Sequence, residues 1–250
     1  MPKRLKALTC EVMARQVYLA AAYSPHVVDV ELFRKGLHNT PNQLRDALQA
    51  QIDAASSGNF DAIVLAYGLC GQSVKGLKAR SIPLVVPRAH DCITLYLGSR
   101  ARYAREFTEN PGTYWFSLDY VERSNMNDGL VVLGSNVTSD SMQATYAEYV
   151  EKYGKENADY LMEVMGAWQA HYNRAAFIDM GVGDPAATEA EARDFAAKRG
   201  WRFERMEGDR DLIRRLIDGD WDADFLVVPP GEEIVQQMDE TIVASRPYQE

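Results

Sequence analysis

Three cysteines, each just beyond an apolar run, carry the chemistry this chain offers. Cys10 closes Leu5-Lys6-Ala7-Leu8-Thr9. Cys70 stands in Tyr67-Gly68-Leu69-Cys70-Gly71, after the run from Ala62 to Tyr67. Cys92 ends Val85-Val86-Pro87-Arg88-Ala89-His90-Asp91-Cys92, after the run from Ile82 to Val86. Thiolate and imidazole ligands suit Zn²⁺ at about 2.0–2.3 Å. Three thiolates can equally hold a [4Fe–4S] cluster with one iron left open. His90-x-Cys92 places two ligand types on alternate positions of an extended segment, able to converge on one ion. Cys10, Cys70, Cys92 and His90 are therefore the candidate metal ligands, with their sulfurs expected within about 4 Å of one another. Zinc and iron–sulfur both stay open, beside the plainer reading of free cysteine as a small buried apolar residue.

Around these ligands stand the candidate catalytic residues. His90 suits a ligand or an acid–base group, and Asp91 lies beside it. Tyr67 suits a general acid or simple packing at a strand end. Arg88 can take an anionic substrate group bidentately or pair with an acid such as Asp91. His38, in Gly36-Leu37-His38-Asn39-Thr40-Pro41, is open between ligand, proton shuttle and support for a turn. Gly181-x-Gly183, between a strand and a helix, suits an anion at a helix N-terminus but lacks a third glycine.

The elements that must position these residues alternate between strand and helix. Leu5–Thr9, Val27–Phe33, Phe60–Tyr67 and Ile82–Val86 read as strands. Glu11–Ala22 reads as a helix burying Val12, Tyr18, Leu19 and Ala22. Thr40-Pro41-Asn42-Gln43 reads as a capping box, opening a helix to Ala55 whose core face is Leu44, Leu48, Ile52 and Ala55. A helix is expected from Cys92 to about Phe107, with Gly98-Ser99 as a weak point. Thr113–Leu118 is an aromatic strand. Residues 125–136 are polar and turn-rich, suiting a lobe boundary or flap, and Ser139–His171 carries the longest helical pattern. Strands at Ala175–Asp179, Trp201–Met206 and Ala223–Val228 then alternate with helices at Thr188–Arg199 and Asp209–Asp218.

This pattern predicts an α/β fold of parallel-sheet, Rossmann-like lobes, with ligands at the C-terminal ends of the strands. Residues 1–124 would form the metal-site lobe, and residues 125–250 a second α/β lobe with a long helical connection. Ile52-Asp53 before Phe60-Asp61-Ala62 resembles Ile217-Asp218 before Trp221-Asp222-Ala223. The two thirds read either as an internal duplication of a βαβαβ unit or as two α/β units of one general kind.

Composition narrows the function classes. A chain of 250 residues, 46% of them hydrophobic, can bury a sizeable core. A formal charge of −9 argues against nucleic acid and anionic membranes, which are bound through concentrated Lys and Arg. No apolar run approaches the roughly 18 residues of a membrane span, and the N-terminus lacks a signal-peptide core, so a cytoplasmic protein is expected. An odd cysteine count in such a chain argues against a disulfide framework.

The strings Leu37-His38-Asn39-Thr40-Pro41, Ala66-Tyr67-Gly68-Leu69-Cys70-Gly71, Pro87-Arg88-Ala89-His90-Asp91-Cys92-Ile93, Leu97-Gly98-Ser99 and Pro111-Gly112-Thr113-Tyr114 together resemble domain of unknown function 1638, over about residues 5–230. The resemblance implies company with corrinoid-dependent methyltransferases of one-carbon metabolism. The ligand set is also similar to that of zinc methyltransferases, which pair His-x-Cys with a distant Cys on a β/α barrel. A second likeness is to small enzymes that hold an open-iron [4Fe–4S] cluster on three strand-end cysteines.

The leading expectation is a metal-dependent enzyme of one-carbon or sulfur metabolism, a transferase or lyase, with a small-molecule substrate at a Cys₃/His site. The alternative is a non-catalytic metal-binding protein or a partner of a corrinoid protein.

Overall fold

The protein is described from a computed structural model, which covers residues 1–70, 72–123, 150, 151, 154, 155 and 172–249, the side chains of His38 and Asn39 aside. The turn-rich stretch 125–136, and the expected helix over Ser139–His171 apart from residues 150, 151, 154 and 155, lie outside these residues.

The chain opens with β1 (Arg4–Cys10), a 3₁₀ turn (Glu11–Met13) and α1 (Ala14–Tyr23). It continues through β2 (Val27–Phe33), α2 (Pro41–Ser56), β3 (Ala62–Ala66), β4 (Leu84–Pro87), α3 (Cys92–Leu97) and α4 (Arg100–Glu109). Next come β5 (Thr113–Ser117), α5 (Leu118–Glu122), β6 (Arg174–Asp179), α6 (Ala186–Arg199) and β7 (Arg202–Glu207). The last elements are α7 (Asp211–Asp218), β8 (Phe225–Val228), β9 (Glu232–Gln236) and β10 (Val243–Pro247). Among the described residues no helix is long and apolar enough to cross a membrane.

Two compact units emerge. The first comprises Met1–Tyr103 with Gly208–Glu250, the second Ala104–Glu207. Thus the division is not one cut near residue 124, because the last strands return to the first sheet. That sheet has the order β2-β1-β3-β4-β8. Its first four strands are parallel, and β8 runs antiparallel to β4, with Leu84 against Val228 and Pro87 against Phe225. The expected βαβαβ repeat is consequently not realised as one unit: β6 and β7 sit in another sheet, and β8 closes the first.

β3 is buried along its whole length, as a parallel strand covered on both faces must be. One face carries α1 and α7, which pack on each other. The other carries α2 through Leu44, Leu48 and Ile52, and the antiparallel β9–β10 hairpin through Ile234, Ile242 and Val243. This is the α2 face expected from the sequence. In α1 the buried face is instead Ala14, Gln16 and Val17, and Tyr18 is 50% exposed. The 3₁₀ turn shifts the register of the helix that follows and turns Tyr18 outward. The capping box is also incomplete: the single proton of the Thr40 hydroxyl has Gln43 Oε1 and the Leu37 carbonyl as alternative acceptors, and the hydroxyl accepts nothing from the helix backbone.

The expected helix from Cys92 is broken at Gly98, which takes a left-handed conformation (φ 69°). A Cβ there would come within 2.6 Å of the Asp209 side chain. Glycine is required on both counts.

The second unit is a parallel sheet of order β5-β6-β7. Its core joins Tyr114, Phe116 and Phe177 to Ala192 and Ala196 of α6. Arg174, buried, is satisfied by Glu106 at 2.7 Å and Glu204 at 3.0 Å. The Gly181-x-Gly183 loop does not wait for an external anion at Gly181, whose N–H donates to the Asp179 carboxylate of its own strand.

Candidate functional site

In the order β2-β1-β3-β4 the connection leaving β1 goes to one side and the next crosses to the other. The C-terminal ends of β1 and β3 therefore flank a topological switch point, the crevice where open α/β sheets bind ligands. Cys10 ends β1. The parallel register sets Leu8 beside Leu65 and Thr9 beside Ala66, so continuing it by one residue brings Cys10 beside Tyr67. Leu8, Cys10, Leu65 and Tyr67 all pack on the α2 side of the sheet.

The segments leaving β3 and β4 stay zipped together. Leu69 N–H donates to the Ala89 carbonyl at 2.8 Å, and Cys70 N–H to that of His90 at 3.0 Å. Cys70 takes a positive φ of 43° and Gln72 one of 73°. Such a conformation costs a side-chain-bearing residue roughly 1–2 kcal/mol. Here Ser73 holds it, its hydroxyl donating to the Cys70 carbonyl at 2.8 Å and its N–H to that of Leu69 at 3.0 Å.

Across the zip, Asp91 caps α3. Its Oδ1 accepts from the N–H of Ile93 at 2.9 Å and of Thr94 at 3.4 Å, and its Oδ2 accepts from the Tyr103 hydroxyl at 3.0 Å. Both oxygens are engaged in positioning, so Asp91 fixes the start of α3 and with it Cys92, the first helical residue. Burial raises the Asp91 pKa above the usual carboxylate value, against the pull of these donors and of His90.

The thiols form one electrostatic group. Burial, followed by Asp91 and Cys10, pushes Cys70 up to about 12, while the backbone N–H groups of Gly68 and Cys92 pull it down. Cys92 is pushed well above the ordinary thiol value by burial, then by Cys70, Asp91 and Cys10. Tyr67 is raised by burial and then by Cys10 and Cys70. Each side chain that raises these values turns negative on ionisation, so the group resists carrying several charges at once. None of the three cysteines is in a disulfide among the described residues, and each residue is partly accessible to solvent.

The expected close convergence of ligands is not present. Among the described residues no three His, Cys, Asp or Glu side chains gather closely enough to hold a metal ion. Cys10 and Cys70 instead lie against the apolar cluster under α2, as neutral thiols do. The donor chemistry fits a soft cation; the side-chain arrangement is not a closed ligand cage.

The other expected residues scatter. His90 is exposed and stacks on Tyr103, ring centroids 5.7 Å apart and planes at 27°. The Arg88 guanidinium donates to the carbonyl oxygens of Thr241, at 2.9 Å, and Val243. It ties β10 to β4 rather than pairing with Asp91, and burial followed by Arg100 lowers its pKa. Tyr67 is 2% exposed, and its hydroxyl has no hydrogen-bond partner among the described residues. His38 belongs to the 3₁₀ turn after β2, with its side chain outside the description.

Sequence reasoning missed Tyr103, which serves both His90 and Asp91. Taking Gly98 as a full helix stop would have brought α4 back onto the capping loop. It also missed Thr9 and Thr94, whose buried hydroxyls have no partner among the described residues. A threonine just before Cys10 in an apolar strand was the available signal.

Residues 32–217 match the family model described as a protein of unknown function, DUF1638. The chain belongs to that family. The matched span includes Tyr67, Cys70, His90 and Cys92 but begins after Cys10. No curated protein and no solved structure matches the chain.

Proposed function

We propose that this DUF1638 member is a metal-dependent enzyme of one-carbon or sulfur metabolism, a transferase or lyase whose small-molecule substrate meets a soft metal centre at the β1/β3 switch point. The observation that supports it is three cysteines from three strand ends, coupled electrostatically where such folds bind ligands. Cys10, Cys70 and Cys92, which do not gather closely enough in this structure to hold a metal ion, would have to draw together on it, Zn²⁺ or a [4Fe–4S] cluster, which would relieve the mutual repulsion of their thiolates. When bound, such a group supplies Lewis acidity that lowers the pKa of a ligated thiol or water. Asp91 and Tyr103 keep Cys92 at the head of α3, and His90 on the accessible rim exchanges protons with solvent or substrate. A link to corrinoid-dependent methyl transfer rests on the motif resemblance alone.

The runner-up is a non-catalytic metal carrier or corrinoid-protein partner, favoured by a different feature. α1 and the edge strand β2 leave Tyr18, Tyr23, Val27 and Leu32 exposed.

Anaerobic purification followed by metal analysis and an optical spectrum tests the leading reading. About one zinc, or iron with sulfide in cluster proportion, is expected per chain. Protein that stays metal-free after reconstitution with zinc and with iron and sulfide overturns it.

A further inference from the structure

Two of the three thiols sit on segments that are fastened to each other. The N–H of Leu69 donates to the Ala89 carbonyl at 2.8 Å and that of Cys70 to the His90 carbonyl at 3.0 Å. Residue 70 is thereby held beside the backbone that leads into Cys92. Asp91 takes the N–H groups of Ile93 and Thr94 but not that of Cys92. The Cys92 N–H instead serves sulfur, lowering the pKa of the Cys70 thiol and of Cys92's own. One peptide N–H thus faces both sulfurs. Neither thiol is in a disulfide, and each residue keeps partial access to solvent. Cys10, by contrast, ends β1, which lies on the other side of β3 from β4.

We propose that Cys70 and Cys92 form a reversible disulfide by exchange with a small-molecule disulfide, which joins the loop after β3 to the head of α3. The thiolate of one cysteine attacks the small disulfide, breaking its S–S bond and releasing one thiol. The other cysteine then displaces the second thiol from the mixed disulfide. Two electrons pass from the cysteine sulfurs to the small molecule, which leaves as two thiols carrying the two cysteine protons. The bond needs Cβ atoms about 3.5–4.5 Å apart. The two loops come this close because residue 68 has no side chain to hold the Asp91 backbone away. Burial slows the attack by keeping both thiols protonated. The same burial denies the reduced pair the thiolate stabilisation that makes some disulfides strong oxidants, so the link should form slowly and persist. It stands apart from the metal reading, since a disulfide needs two sulfurs and a metal site at least three converging ligands. Bonding Cys70 to Cys92 withdraws two of the three donors, so bound metal and disulfide exclude each other.

The test takes the metal-free full chain, reduces it, and holds it without denaturant in glutathione disulfide at mildly alkaline pH. Intact-mass measurement should show a loss of about 2 Da, reversed by dithiothreitol. Peptide mapping should join the peptides of Cys70 and Cys92. Cys10→Ser should form the same link, whereas Cys70→Ser and Cys92→Ser should not lose this mass. A wild type that keeps its reduced mass, stops at glutathione adducts, or links Cys10 to either partner overturns the inference. So does a link that appears only in urea. Metal uptake by the reduced chain is a separate measurement, so this inference and the metal reading can each fail alone.

Discussion

A Cβ placed on Gly68 would lie 2.7 Å from both the Cα and the backbone nitrogen of Asp91. Real side chains do not approach that closely, so the two strand-end loops meet only because residue 68 has none. Gly68→Ala should push the Asp91 loop away and weaken the hydrogen bonds from Leu69 to Ala89 and from Cys70 to His90. The expected loss is roughly 1–3 kcal/mol, the usual cost of overpacking. Urea unfolding measures it, and a variant of wild-type stability would mean that the loops separate freely.

Asp91 gives the metal-free protein a pH signature. Burial raises its folded-state pKa above the unfolded value, so the folded state binds this proton more tightly. The resulting stability is fully present below the unfolded pKa and is lost as pH rises through the folded pKa. Asp91→Asn, which keeps a capping oxygen, should remove this component. Unfolding free energies followed upward through the acidic range should therefore decline more steeply in the wild type than in the variant. Parallel curves would count against a raised Asp91.

The periodic parts of this fold were legible and the returning parts were not. Leu44, Leu48, Ile52 and Ala55 form the buried face of α2 as their spacing requires, because that helix lies on one sheet with one apolar stripe. β8 was legible as a strand, yet nothing local to Phe225–Val228 says that it pairs antiparallel with β4 rather than continuing the second sheet. β9 and β10 mix charged with apolar residues and were not anticipated. In the site, Cys10 ends β1 while Cys70 and Cys92 follow β3 and β4 on the segments that leave them, and parallel topology alone brings those strand ends to one edge. The directions of Arg88 and His90 were not legible, because each depends on a distant element: β10 for Arg88 and α4 for His90.

Arg88 provides a control that separates structure from site. Its guanidinium donates to the carbonyls of Thr241 and Val243 and so ties down the end of the C-terminal hairpin. Arg88→Met keeps much of the stem but loses those bonds, and hydrogen bonds to a charged group are worth roughly 1.5–3 kcal/mol. Stability should fall by about 2 kcal/mol with metal content unchanged. Loss of metal at unchanged stability would return Arg88 to the site.

Cys70 should be sluggish toward alkylation without metal. A thiol pushed to about 12 from the ordinary 9.0 holds about a thousandth of the thiolate at a given neutral pH. Iodoacetamide modification of metal-free protein, located by peptide mass spectrometry, should therefore reach Cys70 far more slowly than a free cysteine peptide. Rapid labelling would show that the raised value does not hold in solution.

Cys92 and His90 lie two residues apart and should separate by phenotype. Cys92 is the first residue of α3, its backbone fixed by the Asp91 cap, so serine at that position leaves the cap and the surrounding core in place. Cys92→Ser should then remove most bound metal while the fold survives, because a core of this size does not depend on one ligand. His90 is exposed, stacked on Tyr103 and not gathered with the thiols. Its replacement by alanine should change stability by less than about 0.5 kcal/mol, as for most surface positions. His90→Ala should keep the metal and lose turnover once a substrate is in hand, the mark of a proton-transfer group rather than a ligand. Metal analysis of the two purified variants decides the assignment: full metal in Cys92→Ser removes that cysteine from the ligand set, and a metal-free His90→Ala makes the histidine a ligand instead.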